Sequence, residues 1–475
     1  MDNNGVDNKI EINNNCCSVL KTNNMEYSNL NLKELKNKCK EFKITGYSTK
    51  KKSEILELLN NYNEKKEGTI EDKIEFDTID YSKIEGLKFI DLFCGVGGFH
   101  QALNKLNATC VFASDIDVKC RNIYEKNYKI KTHGDITKVD VNTIPDFDIL
   151  CGGFPCQSFS NSGKKKGFED KRGQLYEYIL DIASEKKPKF MFLENVKHIK
   201  KIDDGKVFDH IKKRIREIGY SVSVTELSPH QLGIPQQRER VVFVCIRNDI
   251  YDNKIIDYTP PNIPINFDNI LEKDTSKTEK YKISSETENV LSIWDKMIKD
   301  FEIGENLSPT ILCNEFHNTY SENEFNELVK WKQDYITKNK PIYNKYKEKW
   351  DNWLTENKEI LSKREVYGKL EWQVGKKVKD DSIFNHFIQI RQSGIRVKKA
   401  EYFPTLVAIV QTPIYAKEKR YITPRECARL QSFPDSFILH ENDQTAYKQF
   451  GNAVNVDVVH FVISKTLKAY NFITE

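Results

Sequence analysis

The chain has 475 residues, of which 39% are hydrophobic and 30% charged, with a formal net charge of +4. At roughly 100–200 residues per domain this implies two or three domains, and no run of about 18 apolar residues is present to span a membrane. The start, MDNNGVDNKIEINNN, lacks the apolar core of a secretory leader, and the 11 cysteines follow neither a disulfide framework nor zinc-type CxxC pairs. These features predict reduced thiols, no metal, and a monomer of the cytoplasm or nucleus. The net charge is too small to name a partner, whereas its distribution along the chain is informative.

Residues 1–24 are Asn-rich and lack any helical or strand period, which predicts disorder. Within residues 25–66, Leu32, Leu35 and Cys39 recur at helical spacing. Thr45-Gly46-Tyr47-Ser48 then punctuates, and Ser53 is placed to cap a second helix carrying Ile55, Leu56, Leu58 and Leu59. Residues 31–66 hold ten Lys against five Asp or Glu, a net of +5. This small basic helical hairpin resembles the SAP motif, which implies contact with DNA. Residues 67–86 are charged and mixed, as in a linker.

From residue 87 the texture changes to buried strands alternating with helices. Strands are predicted at Phe89–Phe93, Val111–Ser114, Phe147–Cys151, Phe190–Leu193 and Val241–Ile246. Helices are predicted at Leu175–Glu185 and Gly205–Ile218. Such alternation predicts an α/β fold with a mainly parallel sheet covered on both faces. Residues 249–420 break the pattern. Residues 249–340 hold 11 basic and 18 acidic side chains, a net of −7; residues 341–420 hold 17 and 10, a net of +7. The α/β texture resumes at Thr423. A catalytic domain made of 87–248 and 421–475 is therefore expected, interrupted by a long insert at 249–420.

The chemistry-bearing residues fall at the predicted strand ends. Asp91-Leu-Phe-Cys-Gly95-Val-Gly97-Gly-Phe runs a strand into a Gly-rich turn and a helix, bringing backbone amides close to a ligand. Asp115 ends the next strand, where an acid can hold ribose hydroxyls. Gly134-Asp135-Ile136 is read as following a third strand, with an acid and an apolar residue suited to an adenine. This layout fits S-adenosylmethionine better than NAD, because it offers no phosphate cradle. Gly152-Gly-Phe-Pro-Cys156-Gln is read as following a fourth strand, at a carboxyl end where ligands bind in such sheets and a thiolate can act as a nucleophile. Glu194-Asn-Val follows Phe190–Leu193, beside Cys156 across neighbouring strands. Gln236-Gln-Arg238-Glu-Arg240 precedes the last of the predicted strands.

With these residues in view the chain resembles the DNA (cytosine-5) methyltransferase family. The resemblance rests on DLFCGVGGF, GGFPCQSFSNSGKKKGFEDKRGQLY, ENV, QQRER, RECARLQSFPDSF and QFGNAV, in that order. It implies a Rossmann-like S-adenosylmethionine-dependent methyltransferase fold, with 249–420 as a variable target-recognition domain and double-stranded DNA as substrate. It assigns Cys156 as nucleophile, Glu194 as the acid on the target ring, and Arg240, with Arg238 close by, on the base carbonyl. Phe93, Gly95, Gly97, Asp115, Ile116, Asp135, Ile136, Pro155, Leu175, Asn452 and Val454 match positions around the cofactor. The family often has Glu in place of Asp115 and an aromatic residue in place of Ile116.

The implied chemistry is covalent. Addition of the Cys156 thiolate to cytosine carbon-6 makes carbon-5 enamine-like and able to take a methyl group. A base stacked in duplex DNA cannot reach such a pocket, so it must be flipped out. The segment 157–173, with Lys164-Lys165-Lys166, is expected to form a mobile loop over the flipped base. Ser160, Ser162, Lys164 and Arg172 are expected to contact DNA from it. In the basic half of the insert, Arg391 and Arg396 suit base edges in the major groove, whereas Lys398 suits phosphates. The alternatives are a tRNA cytosine methyltransferase of the same family and a catalytically inactive DNA-binding regulator. The presence of both Cys156 and Glu194 speaks against the second.

Overall fold

The computed structural model describes residues 31–42, 44–45, 47–48, 50–52, 54–56, 58–59, 85–155, 175–408 and 411–474. The Asn-rich tail, nearly all of the linker, the Ser53 cap and the loop 157–173 lie outside these residues. The chain divides into two compact units, Met1–Glu75 and Phe76–Glu475.

In the first unit, the helix Leu32–Glu41 begins at Asn31. The Asn31 side chain accepts from the N–H groups of Lys33 and Glu34, and Glu34 reaches back to the Asn31 N–H at 2.7 Å. This reciprocal cap satisfies donors that a helix start otherwise leaves unpaired. Residues 54–56 and 58–59 are also helical. Leu35, Cys39, Ile55, Leu56 and Leu59 are buried together. Leu32, expected on that stripe, is exposed, because it stands in the first turn ahead of the packed face.

The second unit is built on a six-stranded sheet. Its strands are β1 (Lys88–Leu92), β2 (Thr109–Ser114), β3 (Ile149–Gly153), β4 (Phe190–Val196), β5 (Tyr220–Leu227) and β6 (Arg240–Arg247). They lie in the order β2-β1-β3-β4-β6-β5. The first four run parallel, and β6 runs antiparallel to both β4 and β5. Alternate residues of each strand enter opposite faces. Phe89, Phe190, Phe192 and Val244 meet the C-terminal helix Val456–Ala469 through Val459 and Ile463. Ile90, Leu150, Met191 and Phe243 meet the helices Leu175–Lys186 and Lys206–Glu217 through Ile179, Ile211 and Ile215.

Two sequence expectations change here. The third strand expected ahead of Gly134 is only an isolated bridge between Ser114 and His133, so the GGFPC turn follows the third strand, β3. The sheet also gains β5, an edge strand buried only at its ends, Tyr220 and Leu227. Tyr220, Val222 and Val224 alternate with Ser221, Ser223 and Thr225, a half-buried strand pattern that a search for continuous apolar runs passes over.

The insert forms a second six-stranded sheet, from β7 (Ile311–Leu312), β8 (Lys369–Gln373), β9 (Phe387–Arg391), β10 (Gly394–Lys398), β11 (Ile414–Tyr415) and β12 (Arg420–Tyr421). The order is β12-β11-β9-β10-β8-β7. Ile388, Ile395, Val397, Leu370 and Trp372 join Trp294, Trp350 and Trp353 of flanking helices in a core of their own. The first part of the insert packs elsewhere: Ile250, Tyr251, Tyr258, Phe267 and Ile270 sit on the methyltransferase core.

Candidate active site

Just beyond the end of β1, Phe93, Gly95 and Gly97 all have positive φ, at 54°, 53° and 88°. A β-carbon on Gly97 would lie 2.4 Å from the Tyr128 ring, and one on Gly98 2.4 Å from the Val454 carbonyl oxygen. Gly95 faces open space, so ligand atoms can approach its backbone. The turn is braced from beneath. The Tyr128 hydroxyl donates to the carbonyls of Val96 and Gly97 at 3.2 and 3.0 Å. His100 stacks on the Tyr128 ring at 3.8 Å, and its Nδ1 lies 2.7 Å from the Tyr124 hydroxyl. Sequence reading missed this support, because His100 and the tyrosines sit at helical positions that read as ordinary core.

Asp115 follows β2. Its carboxylate accepts from the N–H groups of Gly95 and Asp117, each at 2.8 Å. Burial pushes its carboxyl up, and those two N–H groups partly offset this. The β-turn lip, the acid and the nearby backbone fit an adenosine-type ligand. Ile116 is 75% exposed, so an apolar surface stands free beside that acid. Asp135 caps the turn Ile136–Lys138, and its carboxyl is held below the usual range by the Thr137 hydroxyl. Ile136 is buried in the sheet core. Leu175 begins its helix half-buried, Pro155 is exposed, Asn452 is exposed at the end of the helix Asp443–Asn452, and Val454 is half-buried against Gly98 and Gly153.

Glu194 and Arg240, two of the expected catalytic side chains, meet where β3, β4 and β6 adjoin. Gly153, three residues before Cys156, is the register partner of Glu194. A β-carbon on Gly153 would meet Glu194 Oε2 at 3.6 Å. Glu194 Oε1 pairs with Arg240 Nε at 2.8 Å, and both side chains are mostly buried. Arg240 enters from β6, opposite Val196. Asn195, between them in the chain, is buried, and its amide donates to the Phe154 carbonyl at 3.0 Å. That bond ties the acid-bearing strand to the segment leading into Pro155. Asn195 was visible within the ENV motif but carried no assigned task. Cys156, Ser160, Ser162, Lys164 and Arg172 lie outside the described residues.

Arg238 departs from its expected place with the catalytic group. Its guanidinium is buried and donates to the carbonyls of Leu406, Gly451 and Ala453 at 2.7, 3.0 and 3.0 Å. Three backbone carbonyls from distant segments make it a structural clamp, with its charge disfavoured by burial. In the insert, Arg391 and Arg396 both lie beside Glu371, and Lys398 donates to the Gln237 side chain at 3.1 Å. Among the described residues no group of His, Cys, Asp and Glu is arranged to hold a metal ion, and no helix is long and apolar enough to cross a membrane.

A mostly parallel sheet with a glycine turn, an acid after its second strand and a Glu–Arg pair at its carboxyl edge defines an α/β methyltransferase. The family profile described as C-5 cytosine-specific DNA methylase matches residues 87–468. The Type II methyltransferase M.HhaI of Haemophilus parahaemolyticus is 32% identical over 390 residues, spanning 82% of this chain and 97% of that protein. M.HpaII of Haemophilus parainfluenzae is 31% identical over 393 residues, 81% and 90% of the two chains. Among solved structures, the Entamoeba histolytica methyltransferase EhMeth aligns with a TM-score of 0.48 at 20% identity, covering 81% of this chain and 99% of that one. The chain belongs to the C-5 cytosine-specific DNA methylase family, whose methyl donor is S-adenosylmethionine.

Proposed function

We propose that this DNA cytosine-5 methyltransferase acts on a flipped-out cytosine within a specific duplex sequence, through a covalent adduct on Cys156. The observation that carries this reading is the Glu194–Arg240 pair, one strand from the turn that leads to Cys156. The Cys156 thiolate adds to carbon-6 of the ring. Glu194, once protonated, donates to ring nitrogen 3 and stabilises the electron density that addition places there. Arg240 holds the ring carbonyl and keeps Glu194 oriented. The bound cofactor supplies a methyl group on a sulfonium to carbon-5. A base then removes the carbon-5 proton and the thiolate leaves.

Phe93, Gly95 and Gly97 would hold the cofactor, Asp115 would take its ribose, Ile116, Asp135 and Ile136 would flank its adenine, and Pro155, Leu175, Asn452 and Val454 would line the rest. The segment 157–173 closes over the base and touches the backbone through Ser160, Ser162, Lys164 and Arg172. Residues 249–420 read the sequence, through Arg391 and Arg396, with Lys398 toward phosphate. The basic, SAP-like segment 25–66 adds phosphate contacts that carry no sequence information. The chain is expected to work as a monomer. The Type II names of its relatives suit a partner in restriction–modification.

The test is trapping. Wild type is expected to form a covalent adduct on duplex DNA bearing 5-fluorocytosine, since fluorine cannot leave as a proton. Cys156→Ser is expected to lose both trapping and methyl transfer while still binding S-adenosylmethionine. An active enzyme that forms no adduct sinks the covalent mechanism.

A further inference from the structure

The polar face of the second sheet gathers the insert's charged groups around one carboxylate. In register, Arg396 of β10 stands beside Glu371 of β8 and opposite Gln389 of β9, and Gly394 stands opposite Arg391. Register partners project to the same face. Leu370, Trp372, Ile388, Ile395 and Val397 occupy the other face and its core. Glu371 is 7% exposed. Its Oε2 accepts from Arg396 Nε at 2.7 Å and lies 3.6 Å from Arg391 Nη1; its Oε1 accepts from the Ser393 hydroxyl in the hairpin turn.

Two features mark this cluster as more than an internal ion pair. Arg391 Nε and Nη1 are buried, and among the described residues neither has a hydrogen-bond partner. At 3.6 Å the contact with Glu371 is coulombic only. Arg391 and Arg396 nevertheless keep 26% and 28% of their side-chain surface exposed, so the outer part of each guanidinium can meet a ligand. The face also adjoins the active-site segment, because Lys398 bonds Gln237, three residues before Arg240.

We propose that Glu371 is a specificity-determining positioning residue, holding Arg396 and Arg391 so that their guanidinium groups read guanine in the recognition site. This rests on the reading that the insert carries sequence readout. Guanine is the base that offers two acceptors, O6 and N7, to a guanidinium fork; adenine places a donor at the matching edge. Glu371 does two things for that reader. It neutralises the repulsion between two neighbouring arginines, and through Ser393 it fixes the turn that carries them.

The test uses the full-length enzyme and a randomised duplex library scored by bisulfite sequencing, with S-adenosylmethionine affinity measured by calorimetry. E371Q is expected to lower the preference for guanine at one or two base pairs by about tenfold, with cofactor affinity within about twofold of wild type. The double variant R391A/R396A is expected to lose the same preference, and adding E371Q to it should change nothing further. Should E371Q disturb cofactor affinity, S393A keeps the charge and is expected to weaken the same preference by a smaller factor; an unchanged preference in S393A then overturns the proposal. If E371Q keeps the preference while R391A/R396A loses it, the arginines read without Glu371 and the proposal falls, though the insert reading stands. If every variant keeps it, both fall. A wild type that methylates no duplex overturns the function itself, and the proposal with it.

Discussion

Glu194 holds two relationships. Its carboxylate is paired with Arg240 Nε, and on the proposed mechanism it delivers a proton to the ring. Glu194→Gln keeps the shape and removes the acid. The expected cost is about 10²–10³ in single-turnover rate, with DNA affinity little changed. A rate within about threefold of wild type would show that another group supplies the proton. Asp115 gives a different signature. Burial raises its carboxyl, so it ionises at higher pH than an exposed aspartate. Cofactor hydroxyls donate to the ionised form. Affinity for S-adenosylmethionine is therefore expected to be full above the raised value and to fall as pH drops through it, while Asp115→Asn binds weakly with no such dependence. Fold stability has the opposite dependence: this group's contribution is full below the usual aspartate range and lost as pH rises through the raised value. Titration calorimetry across pH that finds parallel curves for both proteins would remove Asp115 from the ribose site.

At the scale of elements, the glycine turn and its brace act together. Gly97 combines a φ of 88° with a Tyr128 ring where a β-carbon would go. Gly97→Ala is expected to destabilise by on the order of 2 kcal/mol and to weaken cofactor binding. Urea unfolding that shows a cost below about 0.5 kcal/mol would mean that the turn relaxes freely. The turn itself was legible in the sequence, because strand, glycines and helix are contiguous there. So were the strands β1, β4 and β6, whose apolar runs have no competing reading. The edge strand β5 was passed over, since its apolar residues alternate, Tyr220, Val222 and Val224, rather than forming the continuous run that marks a strand buried on both faces. Arg238 was misread for a related reason. Two arginines at alternate positions look equivalent in a motif, and only the distant carbonyls of Leu406, Gly451 and Ala453 separate them. Glu371 gave no signal, because its partners are defined by strand register.

For the molecule as a whole, the charges lie in separate places. The segment 31–66, within the first compact unit, carries a net of +5. Deleting residues 1–66 is expected to weaken DNA binding most at low salt, to flatten the dependence of affinity on salt, and to leave the methylated sequence unchanged. A changed methylation pattern in the truncated enzyme would refute this. The catalytic unit, by contrast, is closed by its own far end. Lys105, after the first helix of the sheet, pairs with Asp457, 352 positions later, and Gly98 has room for nothing larger because of Val454. The Arg238 clamp likewise waits on Gly451 and Ala453. These contacts are unavailable to a nascent chain until residues 451–457 leave the ribosome. Closing so long a loop is entropically expensive and slow. The cofactor lip therefore cannot set until the ribosome has passed residue 457, and every nascent chain shorter than that is inert.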